Sequence, residues 1–244
     1  MPCKEQSISA AKPANPQERE AVGNLAPASG DCLQSPDVSA YFDRLADGWA
    51  NRYDRSYFLR LRRHQFNTAL ANYVPHADRA GDFGCGSGPL TPLLARLATR
   101  VDAVDASLGM AAVARVRLRE FANIEVSSGE SLPGQDYDVI ICSSVIEYVV
   151  HDTELLGHFA DALKPSGILL VSFPNRRGLL QSITWMFSKR SEYLKYRSRT
   201  YTIGEVRALM ATRFELLDAK TSIGLPILRN LGAGELILAV GRKR

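Results

Sequence analysis

Gly81-Asp82-Phe83-Gly84-Cys85-Gly86-Ser87-Gly88 is followed by Pro89-Leu90-Thr91-Pro92-Leu93-Leu94, and this stretch decides how the rest of the chain is read. Gly84, Gly86 and Gly88 fall at every second position, where an apolar strand-like run gives way to an apolar helical pattern. Glycine accepts positive φ and lets the backbone approach a ligand closely. The N–H groups at the start of the following helix point at whatever occupies the turn. A tight strand-to-helix turn with no ligand is the structural alternative. A dinucleotide fingerprint needs G-x-G-x-x-G. Counted from Gly84 and Gly86 its third glycine would fall on Pro89, and counted from Gly86 and Gly88 on Thr91, so neither register fits.

Alternation of strand and helix continues on both sides of this turn. Leu90 to Ala98 and Leu108 to Phe121 read as helices. Val101 to Val104, ending at Asp105, Ile124 to Val126 and Tyr137 to Cys142 read as strands. Asp152 to Leu163 reads as a helix closed by Pro165-Ser166-Gly167, before a strand from Ile168 to Phe173. The unbroken run Val139-Ile140-Ile141 is expected of a strand covered on both faces. The pattern predicts an α/β fold with a doubly wound, mostly parallel sheet. Phe214 to Thr221 and Glu235 to Gly241 supply two further strands, seven in all. Arg79-Ala80-Gly81 puts a charge and small residues into the strand before the turn, which predicts a short or weakly packed strand.

Ahead of this core, residues 1–36 contain five prolines and few large apolar side chains, the composition of a disordered tail. Residues 37–244 then form a single domain. Its first part, 37–75, is a helical lead-in carrying Tyr41, Phe42, Leu45, Trp49 and Tyr53 roughly on one face. An aromatic stripe of this kind packs on the core or touches a ligand. The net charge of +4 is too small to argue for nucleic acid. No apolar run reaches the ~20 residues of a membrane span, and the start lacks a signal-peptide core, so a cytoplasmic protein is expected. Cys3, Cys32, Cys85 and Cys142 show no metal-ligand spacing and are expected to be reduced.

The string Asp82-x-Gly84-x-Gly86-x-Gly88 resembles the first motif of the class I methyltransferases that use S-adenosylmethionine (SAM). Residues 38–174 carry the resemblance, which implies a Rossmann-like fold and SAM as cofactor, with S-adenosylhomocysteine as product. Within it, the turn of Gly84, Cys85, Gly86 and Gly88 would cradle the methionine part, with Asp82 beside its amino group. Val104-Asp105-Ala106-Ser107-Leu108-Gly109-Met110 resembles the ribose-binding motif, Asp105 accepting the ribose hydroxyls and Met110 flanking adenine. Ser128-Gly129-Glu130-Ser131 resembles the next motif, in which an acid meets the adenine amino group, and Ser143 matches a position that meets the cofactor through its backbone.

On the acceptor side, the loop Ser143 to Asp152 and Ser172-Phe173-Pro174-Asn175-Arg176-Arg177-Gly178 resemble the O-methyltransferases of ubiquinone biosynthesis and their relatives. That likeness implies methylation of a hydroxyl, less readily an amine, on a small and lipid-soluble or polyketide- or quinone-like acceptor. Where the family has acid, acid and histidine, this chain has Ser144, Glu147 and Tyr148, so no metal site carries over. Glu147, Tyr148 or His151 is expected to take the acceptor's proton. Residues 175–200 form a basic amphipathic insert. Seven cations (Arg176, Arg177, Lys189, Arg190, Lys195, Arg197, Arg199) face the single acid Glu192, with Leu179, Leu180, Ile183, Met186 and Phe187 on one helical face and Trp185 nearby. This segment reads as a lid over the acceptor, as a peripheral membrane element, or as a partner or oligomer contact. A SAM-binding protein without catalysis and an NAD-dependent oxidoreductase are the rival readings.

Overall fold

In the computed structural model, residues 36–178, 196, 199–222 and 234–244 are described. The tail at 1–35, most of the insert and the side chain of Tyr53 lie outside the described residues.

The centre is β4 (Tyr137–Ser143), in which Val139, Ile140, Ile141 and Cys142 have no exposed surface. Successive side chains of a strand point to opposite faces. Accordingly Ile140 and Cys142 join one apolar cluster, while Val139 and Ile141 join another. Each aliphatic side chain so buried contributes about 2 kcal/mol. Seven strands assemble in the order β3-β2-β1-β4-β5-β7-β6. These are β1 (Ala77–Phe83), β2 (Ala98–Asp105), β3 (Ile124–Ser128), β4, β5 (Leu163–Pro174), β6 (Phe214–Ser222) and β7 (Leu236–Lys243). The first five run parallel, and β7 lies antiparallel between β5 and β6. One face is covered by α5 (Asp152–Ala162) through Leu155, Leu156 and Phe159, and by α6 (Ile203–Met210) through Val206 and Met210. The other is covered by α2 (Tyr57–Tyr73) through Phe66 and Leu70, and by α3 (Thr91–Ala95) through Leu93 and Leu94. The expected doubly wound, Rossmann-like sheet is the one found.

Two local expectations need correction. β1 is seven residues long and well packed, because Arg79 is not an unpaired charge. Its Nε donates to Asp102 at 2.7 Å, and its Nη1 and Nη2 donate to the carbonyls of Gln135 and Pro133. Tyr137 donates its hydroxyl to the same Asp102 at 2.9 Å, under the Arg79 guanidinium, and Arg100 supplies a third donor. Gly81 leaves room for Leu132, whose Cδ1 would lie 2.9 Å from a Cβ there. The triplet Pro165-Ser166-Gly167 does not close a helix in coil but sits inside β5. It makes an irregularity opposite Tyr137 and Val139, with Ser166 at a φ of 63°.

The order 3-2-1-4-5 reverses direction between β1 and β4. In open parallel sheets that is where a crevice opens beyond the carboxyl ends of the strands. The glycine turn follows β1, Asp105 ends β2, and the loop bearing Glu147 follows β4. The fold therefore gathers the sequence-predicted residues at one edge. α1 (Pro36–Arg55) packs across α4 (Leu108–Leu118) at that same edge.

Candidate functional site

The turn after β1 is built as glycine spacing demands. Gly84, Gly86 and Gly88 adopt φ values of 68°, 55° and 76°. Their reasons for being glycine differ. A Cβ on Gly84 would lie 2.1 Å from Val145 Cγ2, and one on Gly88 would lie 2.7 Å from Leu118 Cδ1. At Gly86 a Cβ would meet nothing within 4 Å. Two glycines thus permit close packing against protein, and the middle one faces open space. The N–H groups of Gly84 and Cys85 both donate to the Val104 carbonyl, locking the turn to the end of β2.

Asp105 spans the crevice from the β2 side. Its Oδ2 accepts the Gly86 N–H at 2.7 Å and its Oδ1 accepts the Ser107 N–H at 2.9 Å. Each carboxylate oxygen has a second lone pair, so both can still accept a ligand hydroxyl. Burial raises the Asp105 pKa above the ordinary carboxylate value, the two N–H bonds oppose that, and the charge of Asp43 adds to it. Asp82, 2% exposed, is pushed up to about 7, chiefly by burial, while the Thr91 hydroxyl donating at 2.6 Å pulls the other way. A buried carboxyl held near neutrality is suited to meeting a cation.

Around these two acids lie the remaining sequence-predicted cofactor residues. Cys85 is buried, and its thiol pKa is raised by that burial, so it is an unreactive part of the turn. Ala106 is half-buried after Asp105. Met110 is 1% exposed, its N–H capped by the Ser107 hydroxyl. Gly129 donates to the Asp105 carbonyl at 2.9 Å, which brings Glu130, half-buried, to the same edge, whereas Ser131 points to solvent. Ser143 ends β4, and its hydroxyl is buried with no hydrogen-bond partner among the described residues. The fully buried Ser87 hydroxyl is in the same position. An open space above Gly86, free acceptor capacity on Asp105 and orphaned hydroxyls at Ser87 and Ser143 fit a polar ligand carrying hydroxyl and ammonium groups.

On the acceptor side the three candidate bases separate. Ser144, at a φ of 58°, turns the chain sharply after β4 and donates its N–H to the Ser172 hydroxyl. Left-handed non-glycine residues cost of order 1–3 kcal/mol and gather at functional sites. The single-turn 3₁₀ helix Ile146–Tyr148 follows, with Glu147 only 4% exposed. Burial chiefly raises the pKa values of Cys142 and Tyr201, and the Glu147 charge adds to both, so Glu147 lies near Cys142 of β4 and near Tyr201 ahead of α6. Tyr148 meets Phe42 edge-on at 5.4 Å, and Phe42 in turn meets Tyr41 and Trp49 at 5.3 and 5.9 Å. His151 is exposed at the N-terminal end of α5, apart from this enclosed group.

Several residues at this edge were not singled out from the sequence. Asp43 on α1 accepts the Ser107 hydroxyl at 2.5 Å and the Gly109 N–H at 2.9 Å, which ties the lead-in helix to the start of α4. A Cβ on Gly109 would lie 3.0 Å from that of Ala46, so α1 sits close over the cofactor edge. Asp152 accepts from Arg199 at 2.9 Å and from the Tyr201 hydroxyl at 3.0 Å. Arg176 pairs with Glu205 at 3.0 Å, and Tyr196 packs its ring 5.1 Å from that of Tyr41. The described ends of the insert are therefore tied to the domain. Leu179 to Lys195 and Arg197, with its amphipathic face, lie outside the described residues. Among the described residues no helix is long and apolar enough to cross a membrane.

Residues 38–211 match the family described as a methyltransferase domain. The chain belongs to that family. A relative named ubiquinone biosynthesis O-methyltransferase, from Xanthomonas oryzae pv. oryzae, is 32% identical over 164 residues, 63% of this chain and 66% of the relative. The match thus spans just under two thirds of that relative's length. A trans-aconitate 2-methyltransferase from Escherichia coli O157:H7 is 29% identical over 46% of this chain and 47% of its own. Among solved structures, the N-methyltransferase NodS from Bradyrhizobium japonicum WM9, in complex with S-adenosyl-L-homocysteine, superposes with a TM-score of 0.64 at 16% identity. That match covers 84% of this chain and 98% of NodS. Magnesium protoporphyrin IX methyltransferase from Synechocystis PCC 6803, also with that product bound, gives a TM-score of 0.66 at 16% identity, covering 85% and 99%. These structural likenesses establish the fold shared across the family.

Proposed function

We propose that this chain transfers the methyl group of SAM to a hydroxyl of a small, apolar, quinone- or polyketide-like acceptor. The observation that carries the reading is the turn at Gly86, a positive-φ glycine facing open space, bridged to Asp105 by a 2.7 Å hydrogen bond. The residues fit the cofactor. Asp82 and the glycine turn hold its amino-acid end, and Asp105 holds the ribose through the lone pairs its backbone bonds leave free. Met110, Gly129 and Glu130 border the base. The cofactor supplies a methyl carbon already activated on a sulfonium, so the protein's contribution is alignment of the acceptor.

Glu147 takes the acceptor's proton. Its burial beside the half-buried Tyr148 separates it from the exposed His151, which has no part in the step. The rings of Tyr41, Phe42, Trp49 and Tyr148 supply an apolar wall suited to a planar acceptor. The 32% identity to a ubiquinone biosynthesis O-methyltransferase supports oxygen as the atom methylated. Arg176–Glu205 and Arg199–Asp152 anchor the two described ends of the insert to the domain.

The test measures S-adenosylhomocysteine formation with dihydroxyphenyl acceptors bearing apolar tails. Glu147→Gln is expected to lower kcat by about 10²–10⁴, with cofactor affinity retained, and His151→Ala to stay active. Binding of SAM without turnover of any hydroxyl acceptor overturns the enzymatic assignment. Protection by NAD but not by SAM overturns the cofactor.

A further inference from the structure

Beside Gly88, among residues of α2, α3 and α4, lies an open cavity of about 390 Å³, within the size range of small-molecule sites. Its rim carries Arg60 and Arg63 from α2, Arg96 after α3 and Arg117 from α4, with Glu120 the one acid lining it. Among the described residues, Arg60, Arg63 and Arg96 have no carboxylate within salt-bridge distance, although carboxylates partner Arg79, Arg100, Arg176, Arg199 and Arg242. Between these charged groups the lining is apolar, through Leu59, Leu90 and Phe121. Just before Leu59 in sequence, Tyr57 and Phe58 begin α2 with 61% and 42% of their surface exposed.

Guanidinium groups bind phosphate bidentately and remain charged at any relevant pH. Arg60, Arg63 and Arg96, placed around one cavity without carboxylate partners among the described residues, repel each other, and a bound dianion relieves that repulsion. The apolar part of the lining favours a phosphate that carries an apolar group over inorganic phosphate alone. We propose that this cavity is a binding site for a phosphate monoester with an apolar body, separate from the methyl-transfer site. Leu118 and Gly88 both line it and pack closely on each other, so an occupied cavity braces the turn. The same chemistry is offered by a soluble phosphate ester and by the head group of an anionic lipid.

Two arms of one experiment distinguish these sources, using the full chain. Calorimetric titration with phenyl phosphate is expected to show saturable binding, weakened at least tenfold in Arg60→Gln/Arg63→Gln/Arg96→Gln. These side chains are exposed, and retained S-adenosylhomocysteine binding by the variant reports an intact fold. Flotation with vesicles containing phosphatidic acid, compared with phosphatidylcholine alone, forms the second arm. Capture that the triple variant loses and phenyl phosphate displaces assigns the site to a lipid head group. Phenyl phosphate binding without vesicle capture assigns it to a soluble ester. No saturable binding in either arm, or equal binding by the triple variant, overturns the proposal.

Discussion

Replacing Gly86 by alanine separates a ligand cradle from a mere corner. Gly86 has a φ of 55°, close to the ideal left-handed value, and its Cβ would meet no atom within 4 Å. The cost to the free protein is therefore the backbone term alone, about 1–2 kcal/mol. For a domain of this size each kcal/mol lowers Tm by about 2–4 °C. Gly84→Ala carries the same backbone cost. It also forces a methyl to within 2.1 Å of Val145 Cγ2 in a packed region, which adds about 1–3 kcal/mol of overpacking. Gly84→Ala is thus the less stable variant, yet Gly86→Ala is the one that occupies ligand space. Denaturant unfolding of both, with calorimetric titration of S-adenosylhomocysteine into Gly86→Ala, is the assay. The expected result is a modest stability loss with affinity reduced at least tenfold. A Gly86→Ala protein that binds with wild-type affinity refutes the reasoning, because the space above the turn would then be plain solvent.

Further predictions rest on the two acid networks and on one cap. Asp82 titrates near 7 in the free chain, and the cofactor's ammonium favours the ionised form, so affinity for SAM should fall about tenfold per pH unit below 7 and flatten in Asp82→Asn. The stability slope has the opposite sign. A carboxyl whose folded pKa is raised from 3.8 to about 7 contributes its stability fully below pH 4 and loses it as the pH climbs through 7. Wild-type and Asp82→Asn unfolding curves between pH 4 and 8 test this, and parallel curves count against it. Asp102→Ala strips the acceptor from Arg79, Arg100 and Tyr137 and should cost about 3–5 kcal/mol in denaturant unfolding; a loss below 1 kcal/mol contradicts the network's role. Thr202→Ala removes a capping box at the start of α6 and should cost about 1 kcal/mol by the same measurement.

The difference between what the sequence displays and what it hides is one of range. The glycine turn, the acid that ends β2 and the apolar run of β4 are local patterns, and the structure places the first two at one sheet edge and the third at the sheet's centre. The helix expected from Leu90 to Ala98 is only Thr91–Ala95, because Leu97 and Ala98 are apolar for the sheet rather than for a helix face, and Ala98 already pairs with Ala77. Thr202-Ile203-Gly204-Glu205 does spell out a helix start, a Thr cap with Glu three residues on.

Pairings across the chain were beyond reach. Arg79 looks disruptive in a strand until Asp102, 23 residues later, and Tyr137, 35 residues beyond that, converge on it. Asp43 is an ordinary surface acid on an amphipathic helix until the fold brings Ser107 and Gly109 against it, 64 and 66 residues away. Both cases have one cause. A guanidinium inside a strand or a helix N-terminus leaves donors that need an acceptor, and the acceptor's position in sequence is set by topology rather than by spacing. The consequence reaches the site itself. Asp43 holds α1 over the turn whose Gly86 N–H is held by Asp105, so the lead-in helix and the cofactor edge are joined through Ser107, which bonds both acids. The same helix carries Tyr41 and Phe42, whose rings meet Tyr196 and Tyr148, so the Asp43–Ser107 bond and these ring contacts together hold the aromatic wall at the site.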